Sequence, residues 1–221
     1  MIFIDPKYNA LLRLLVWRDL RARYKGNFLG PLWALLTPLV FLFIYTFVFT
    51  RIFDMNWKMA ANDSGVIGGF PAWLFVGLLT HGMFADALIR SPSLFFEHSQ
   101  FIKKVVFPFG VLPVMISVTA LVNFTIGFAV LSIFMFVSNG SLSWVITLSP
   151  VIFFPLFLYA VGLSFLVSSA SVLIRDIAQV MGMGITALLF LSPVFYPASA
   201  IPSSVKAVAF CNPLTFAITS L

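Results

Sequence analysis

Charge disappears from this chain for long intervals and returns in short bursts, and the length of each gap limits what it can form. Residues 27–50 carry no charged side chain, enough for the roughly 20 apolar positions that a helix needs to cross a bilayer. They predict a first span over 28–50, bent at Pro38, with Thr37 beside it to satisfy the carbonyl that the proline leaves without a donor. The polar, glycine-containing stretch RIFDMNWKMAANDSGVIGG, 51–69, reads as a loop. A second span comes next over 70–90, closing with Asp86 and Arg90 at helical i,i+4 spacing, and SPSLFFEHSQFIKKVVFP, 91–108, is a short charged loop. No charge then occurs from 105 to 174, which is too long for one helix. SNGSLS at 138–143 supplies the turn, so two spans are predicted over 109–137 and 144–167, after which SSASVLIRDIAQ returns to water. A fifth apolar run covers 177–195. Pro193, Pro197, Pro202 and Pro213 interrupt the rest of the chain, and 196–221 reads as short broken helices.

Composition agrees with this pattern and changes the meaning of the charge. The chain is 61% hydrophobic and 9% charged with a mean hydropathy of +1.08, more apolar surface than 221 residues could hide from water. The net charge of +6 is therefore a question of which side of a bilayer the cations occupy, not a footprint for nucleic acid. Placing the N-terminus in the cytoplasm collects Lys7, Arg13, Arg18, Arg21, Arg23, Lys25, Arg90, Lys103, Lys104 and Arg175 inside, against Arg51, Lys58 and Lys206 outside. That bias predicts an N-in protein. The one cysteine, Cys211, allows no intrachain disulfide, and the brief apolar run Leu11 to Trp17, with no small-residue cleavage site behind it, is not read as a removable signal.

The segment before the first span predicts a helix at the inner interface, because Leu11, Leu12, Leu14, Leu15 and Trp17 need a boundary between wet and dry yet are too few to cross. Its second half sorts by face. Arg18, Arg21 and Lys25 share one side, Trp17, Leu20 and Tyr24 a neighbouring one, and Asp19 stands one turn before Arg23. Four cations in eight positions serve either to hold the span's orientation against anionic headgroups or to recognise a lipid diphosphate, for which a guanidinium fork suits phosphate oxygens. FFEHSQFIKKVVFP mixes Phe95, Phe96 and Phe101 with Glu97, His98, Gln100, Lys103 and Lys104; it is either a solvated turn or a short amphipathic helix that grips a soluble partner. His81 and Asn123 are polar groups inside predicted spans. Trp33, Tyr45, Phe195 and Tyr196 fall near interfaces or in the broken region, where rings either belong to interfacial belts or stack on a sugar face. No catalytic residue, metal ligand set or P-loop is found, so any ATP chemistry belongs to another chain.

Three stretches in order carry a resemblance. RDLRARYKGNFLGPLWALLTPL resembles the start of the membrane subunits of bacterial type-2 ABC exporters for polysaccharides and polyol phosphates; KKVVFPFGVLP is similar to their stretch after the loop joining spans two and three; SPVFYPASAIPSSVKAVAFCNPLTFA is similar to their segment between spans five and six. The resemblance implies an all-α, six-span polytopic membrane domain, of which five spans are expected here because the chain ends at Leu221 where that family continues into a sixth. It further implies a homodimeric channel in the bacterial inner membrane, a separate cytoplasmic ABC ATPase that binds ATP and Mg, and a cargo of O-antigen, capsule or teichoic-acid type on a polyprenyl diphosphate or related lipid. Carried onto this sequence, 1–27 would be the interface helix, with Arg18, Arg21, Arg23 and Lys25 beside the diphosphate. Residues 96–104 would be the coupling helix and 193–213 the outer gate region. A small-molecule or lipid exporter on the same scaffold, and a membrane enzyme acting on polyprenyl phosphates, are the rival readings. The second would need carboxylates or histidines converging on one face, whereas Asp54 and Asp63 fall outside and Asp86 and Glu97 inside.

Overall fold

The computed structural model describes residues 6–52, 69–99, 107–139, 144–196, 201 and 212–219, and all regular structure among them is helical. Helix α1, Pro6–Tyr24, begins on a proline, which costs nothing at a first turn whose N–H would go unpaired. It ends before Gly26, whose φ of 90° is open to glycine and strained for other residues, so the chain turns there toward the first span. One 3₁₀ turn, Gly30–Leu32, leads into α2, Trp33–Phe47, which closes in a π-turn, Val48–Ile52. Then come α3, Gly69–Arg90; the single turn α4, Leu94–Glu97; α5, Val111–Asn139; α6, Trp144–Leu173; α7, Ile177–Leu191; and α8, Pro213–Thr219.

Helix α3 is the axis of the bundle, with α2, α5, α6, α7 and α8 packed around it. Leu74, Phe84 and Leu88 of α3 are buried against Phe124 of α5, Phe153 and Leu156 of α6, Ile185 of α7 and Leu214 and Ile218 of α8. Phe124 and Phe153 meet edge to face with ring centres 4.5 Å apart, the arrangement that the ring quadrupole favours. Gly127 of α5 lies against the end of Leu79 of α3, whose Cδ2 a Cβ there would overlap. By contrast α2 buries only Leu42 fully and turns Leu39, Phe43 and Phe47 outward, as a helix facing lipid can.

Four of these helices are long and apolar enough to cross a membrane: the one including α2, and α3, α5 and α6. The fifth apolar run holds a shorter apolar helix, α7. Helix α7 has 15 residues and reaches about 22 Å, short of the roughly 30 Å hydrocarbon core. Its predicted extension to 195 stops at Ser192, which takes extended backbone (φ −88°, ψ 147°) because the following Pro193 disfavours a helical conformation before it. Asn212 then donates from Nδ2 to Ser192 Oγ at 2.9 Å and accepts the Leu214 N–H at 3.0 Å, so the chain returning into α8 is tied to the end of α7. The fourth span runs longer than the expected 144–167: Ser168 and Ser171 return their hydroxyls to the carbonyls of Phe165 and Ser168, so the serine-rich stretch stays helical to Leu173. Helix α2 continues through Pro38, with Thr37 exposed.

Candidate functional site: the basic helix and its brace

Helix α1 is docked on protein, not merely laid against a membrane. Leu15 and Val16 are buried with Leu94 of α4 and Val111, Leu112, Met115 and Ile116 of α5, while Leu14 and Trp17 remain on the outer face. Beyond that apolar seat, four charges lock α1 to the Arg90 end of α3. Arg23 Nη2 donates to both carboxylate oxygens of Asp86, at 3.0 and 2.7 Å, and Arg90 donates from Nη1 and Nη2 to Asp19, at 3.0 and 2.6 Å. The within-helix contact, Arg23 Nε to Asp19, is longer at 3.9 Å. Sequence spacing alone suggests pairs within each helix. The structure instead crosses them, because two Asp-x-x-x-Arg turns running antiparallel set each acid opposite the other helix's base.

All four groups are less than a third exposed, so screening by water is limited. Burial pushes the Asp19 carboxyl up, but the hydrogen bonds and charge of Arg90 together with the charge of Arg23 outweigh it and hold the group below the usual carboxylate range. Forked Arg–carboxylate pairs of this kind fix relative orientation as well as energy.

The brace divides the four candidate cations. Arg23 is a strut. Arg18 and Arg21 on α1 and Lys25 just after it stay exposed, and the Arg21 guanidinium lies 4.7 Å from the centre of the Trp17 ring, a cation–π contact that holds it at the surface. Of the expected coupling residues, Phe96, Glu97 and His98 are described; Gln100, Phe101, Lys103 and Lys104 lie outside the described residues. The described part of the segment holds the one turn of α4. Leu94 is buried beneath α1, Ser93 Oγ donates to Glu97 Oε1 at 2.6 Å, and Phe96 and Glu97 face outward. His98 Nδ1 lies 3.0 Å from the Leu94 carbonyl and donates to it.

Of the ring candidates, Trp33 and Tyr45 line one cavity between α2, α3 and α5. Phe195 stacks on Phe190, and the Tyr196 hydroxyl donates to the Phe190 carbonyl at 2.9 Å, so that pair folds back on the end of α7. His81, buried in α3, donates from Nε2 to the Ile185 carbonyl of α7 at 3.0 Å, a link between helices. Among the described residues no group of His, Cys, Asp or Glu could hold a metal.

The family described as ABC-2 type transporter matches this chain over residues 10–221. The chain belongs to that family. Among curated proteins, the O-antigen export system permease protein RfbA of Myxococcus xanthus is 30% identical over 216 residues, covering 97% of this chain and 79% of its own length. The protein of the same name from Klebsiella pneumoniae is 30% identical over 224 residues, covering 98% and 82%. The ABC-2 subunit is thus a multi-pass membrane protein and a transport subunit. What this ABC-2 chain adds to the sequence pattern is the brace, which turns a run of charge into one fixed strut and an exposed cationic face.

Proposed function

We propose that this chain is the permease subunit of an ATP-driven exporter that carries a lipid-linked polysaccharide, of O-antigen, capsule or teichoic-acid type, across the bacterial inner membrane. The observation that carries this reading is the match, over nearly the whole chain, to relatives named as O-antigen export permeases. In this reading the N-terminus is cytoplasmic, which the excess of Lys and Arg on that side supports. Two copies form the path, and each rests on a separate cytoplasmic ATPase that binds ATP and Mg. The exposed Arg18, Arg21 and Lys25 meet the lipid diphosphate at the inner interface, held in register by the brace that fixes α1 to α3.

The ATPase seats at α4, where an outward Phe96 and Glu97 stand on a buried Leu94 directly below α1. An aromatic anchor in a partner's pocket is the usual centre of such a contact. Phe96→Asp should therefore lower co-purification of the co-expressed ATPase by about tenfold or more. Because Phe96 is 50% exposed, the bundle itself should keep its detergent melting temperature. Unchanged co-purification and unchanged export would return this turn to an ordinary solvated loop.

A further inference from the structure

Among the buried polar atoms without a hydrogen-bond partner, one faces a cavity. Asn123, near the middle of α5, has its Oδ1 buried with no hydrogen bond among the described residues. Buried amide oxygens in such a position cost free energy unless something donates to them. The space beside it, about 280 Å³ between α2, α3 and α5, is lined by the rings of Trp33, Phe41 and Tyr45 as well as by Asn123. Pro38 and Ala34 line it too. A proline has no N–H, so the usual helical donor to the Ala34 carbonyl is missing there. Phe41 and Tyr45 stack along one wall with centres 5.9 Å apart.

Aromatic rings on the α2 side and an unpartnered amide oxygen on the α5 side describe a ligand with an apolar ring face and a rim of hydroxyls. A hydrocarbon chain would suit the rings and leave the amide unpaired. A hydroxyl both donates and accepts, so it completes Asn123 whichever way the amide is turned. The volume lies just under the roughly 300 Å³ at which small-ligand pockets begin, room for one ring and not for a chain of them. We infer that this cavity is a subsite for a single sugar residue within each copy of the chain, with Asn123 as its polar contact and Trp33, Phe41 and Tyr45 as its platform. The inference rests on the polysaccharide-export reading and adds a place where the polymer is held.

Gly127 also lines the cavity, and a Cβ there would displace the end of Leu79 into the same space. Two variants therefore test the site by different means: Asn123→Leu removes the acceptor, and Gly127→Ala reduces the room. Removing an orphaned amide oxygen should leave the melting temperature of the membrane-embedded permease–ATPase complex equal or higher. Export of the cell's own polymer should fall about tenfold in each variant, the effect of losing roughly one hydrogen bond to the moving substrate. A photo-crosslinking benzoylphenylalanine at Phe41 should give glycan-bearing adducts in cells that make the polymer, while the same group at Phe43, which is 71% exposed and not part of the cavity, should not. Parental export by Asn123→Leu, or glycan-free adducts at Phe41, would mean that the cavity holds only water or lipid, with the export reading left standing. Failure of the unaltered chain to export polymer would remove that reading and this one together.

Discussion

Arg90→Glu is expected to melt the bundle at a markedly lower temperature and to reduce export at least tenfold, and a second change, Asp19→Arg, is expected to recover the greater part of both. The single variant replaces a forked pair at 2.6 and 3.0 Å by two carboxylates facing each other in a site that is mostly buried. Breaking a mostly buried pair from one side costs on the order of 3 kcal/mol, because the remaining charge keeps its desolvation and loses its partner. The double variant restores an opposite-charge pair across the helices. Its repair stays partial, since it leaves like charges four residues apart on both α1 and α3. Additive losses in the double variant would show that the contact contributes no coupling. The same brace has a pH signature. Asp19 has its carboxyl held below the ordinary range, so its contribution is complete above the undocked value of about 4 and is lost as pH falls through the lower docked value. Docking of α1 should therefore be insensitive to pH near neutrality and loosen only in strong acid.

Arg18→Lys and Arg21→Lys are expected to lower export by about ten to a hundredfold while membrane insertion and ATPase binding stay at parental levels. Lysine keeps the positive charge, so orientation, which depends on the summed inner charge, is preserved. What it loses is the planar fork, and a charge-assisted hydrogen bond to a phosphate is worth about 1.5–3 kcal/mol. Arg23→Lys provides the contrast. Its side chain is committed to Asp86, so that change should lower the melting temperature, which Arg21→Lys should leave alone. Export at the parental rate in both of the exposed variants would reduce the basic face to an anchor.

The spans are legible because a helix in lipid satisfies its own backbone and leaves a plain record in the sequence, a long gap between charges. Helices α3 and α5 fall within about two residues of where those gaps place them. Departures arise where a local feature depends on a distant partner. Helix α6 outlasts its apolar run because its serines return hydroxyls to the helix and Ser171 also bonds the Pro92 carbonyl of the α3–α4 turn. The end of α7 is set by Ser192–Pro193, yet what stabilises the break is Asn212, twenty residues away. The brace has a visible signal, an Asp-x-x-x-Arg turn in each of two segments, but the choice between pairing within and across helices needs their antiparallel packing. Asn123 can be seen as a polar group in a span; that its oxygen lacks a partner depends on three helices at once.

Whether this chain moves a finished lipid-linked polymer, as proposed, or takes part in making it is tested most directly by locating the polymer in cells that lack the chain. Surface polysaccharide should disappear while lipid-linked polymer accumulates on the cytoplasmic face, and the parental chain, but not one with Arg90→Glu, should restore it to the surface. Loss of the polymer on both faces would assign the chain to synthesis, and an unchanged surface layer would remove it from export altogether.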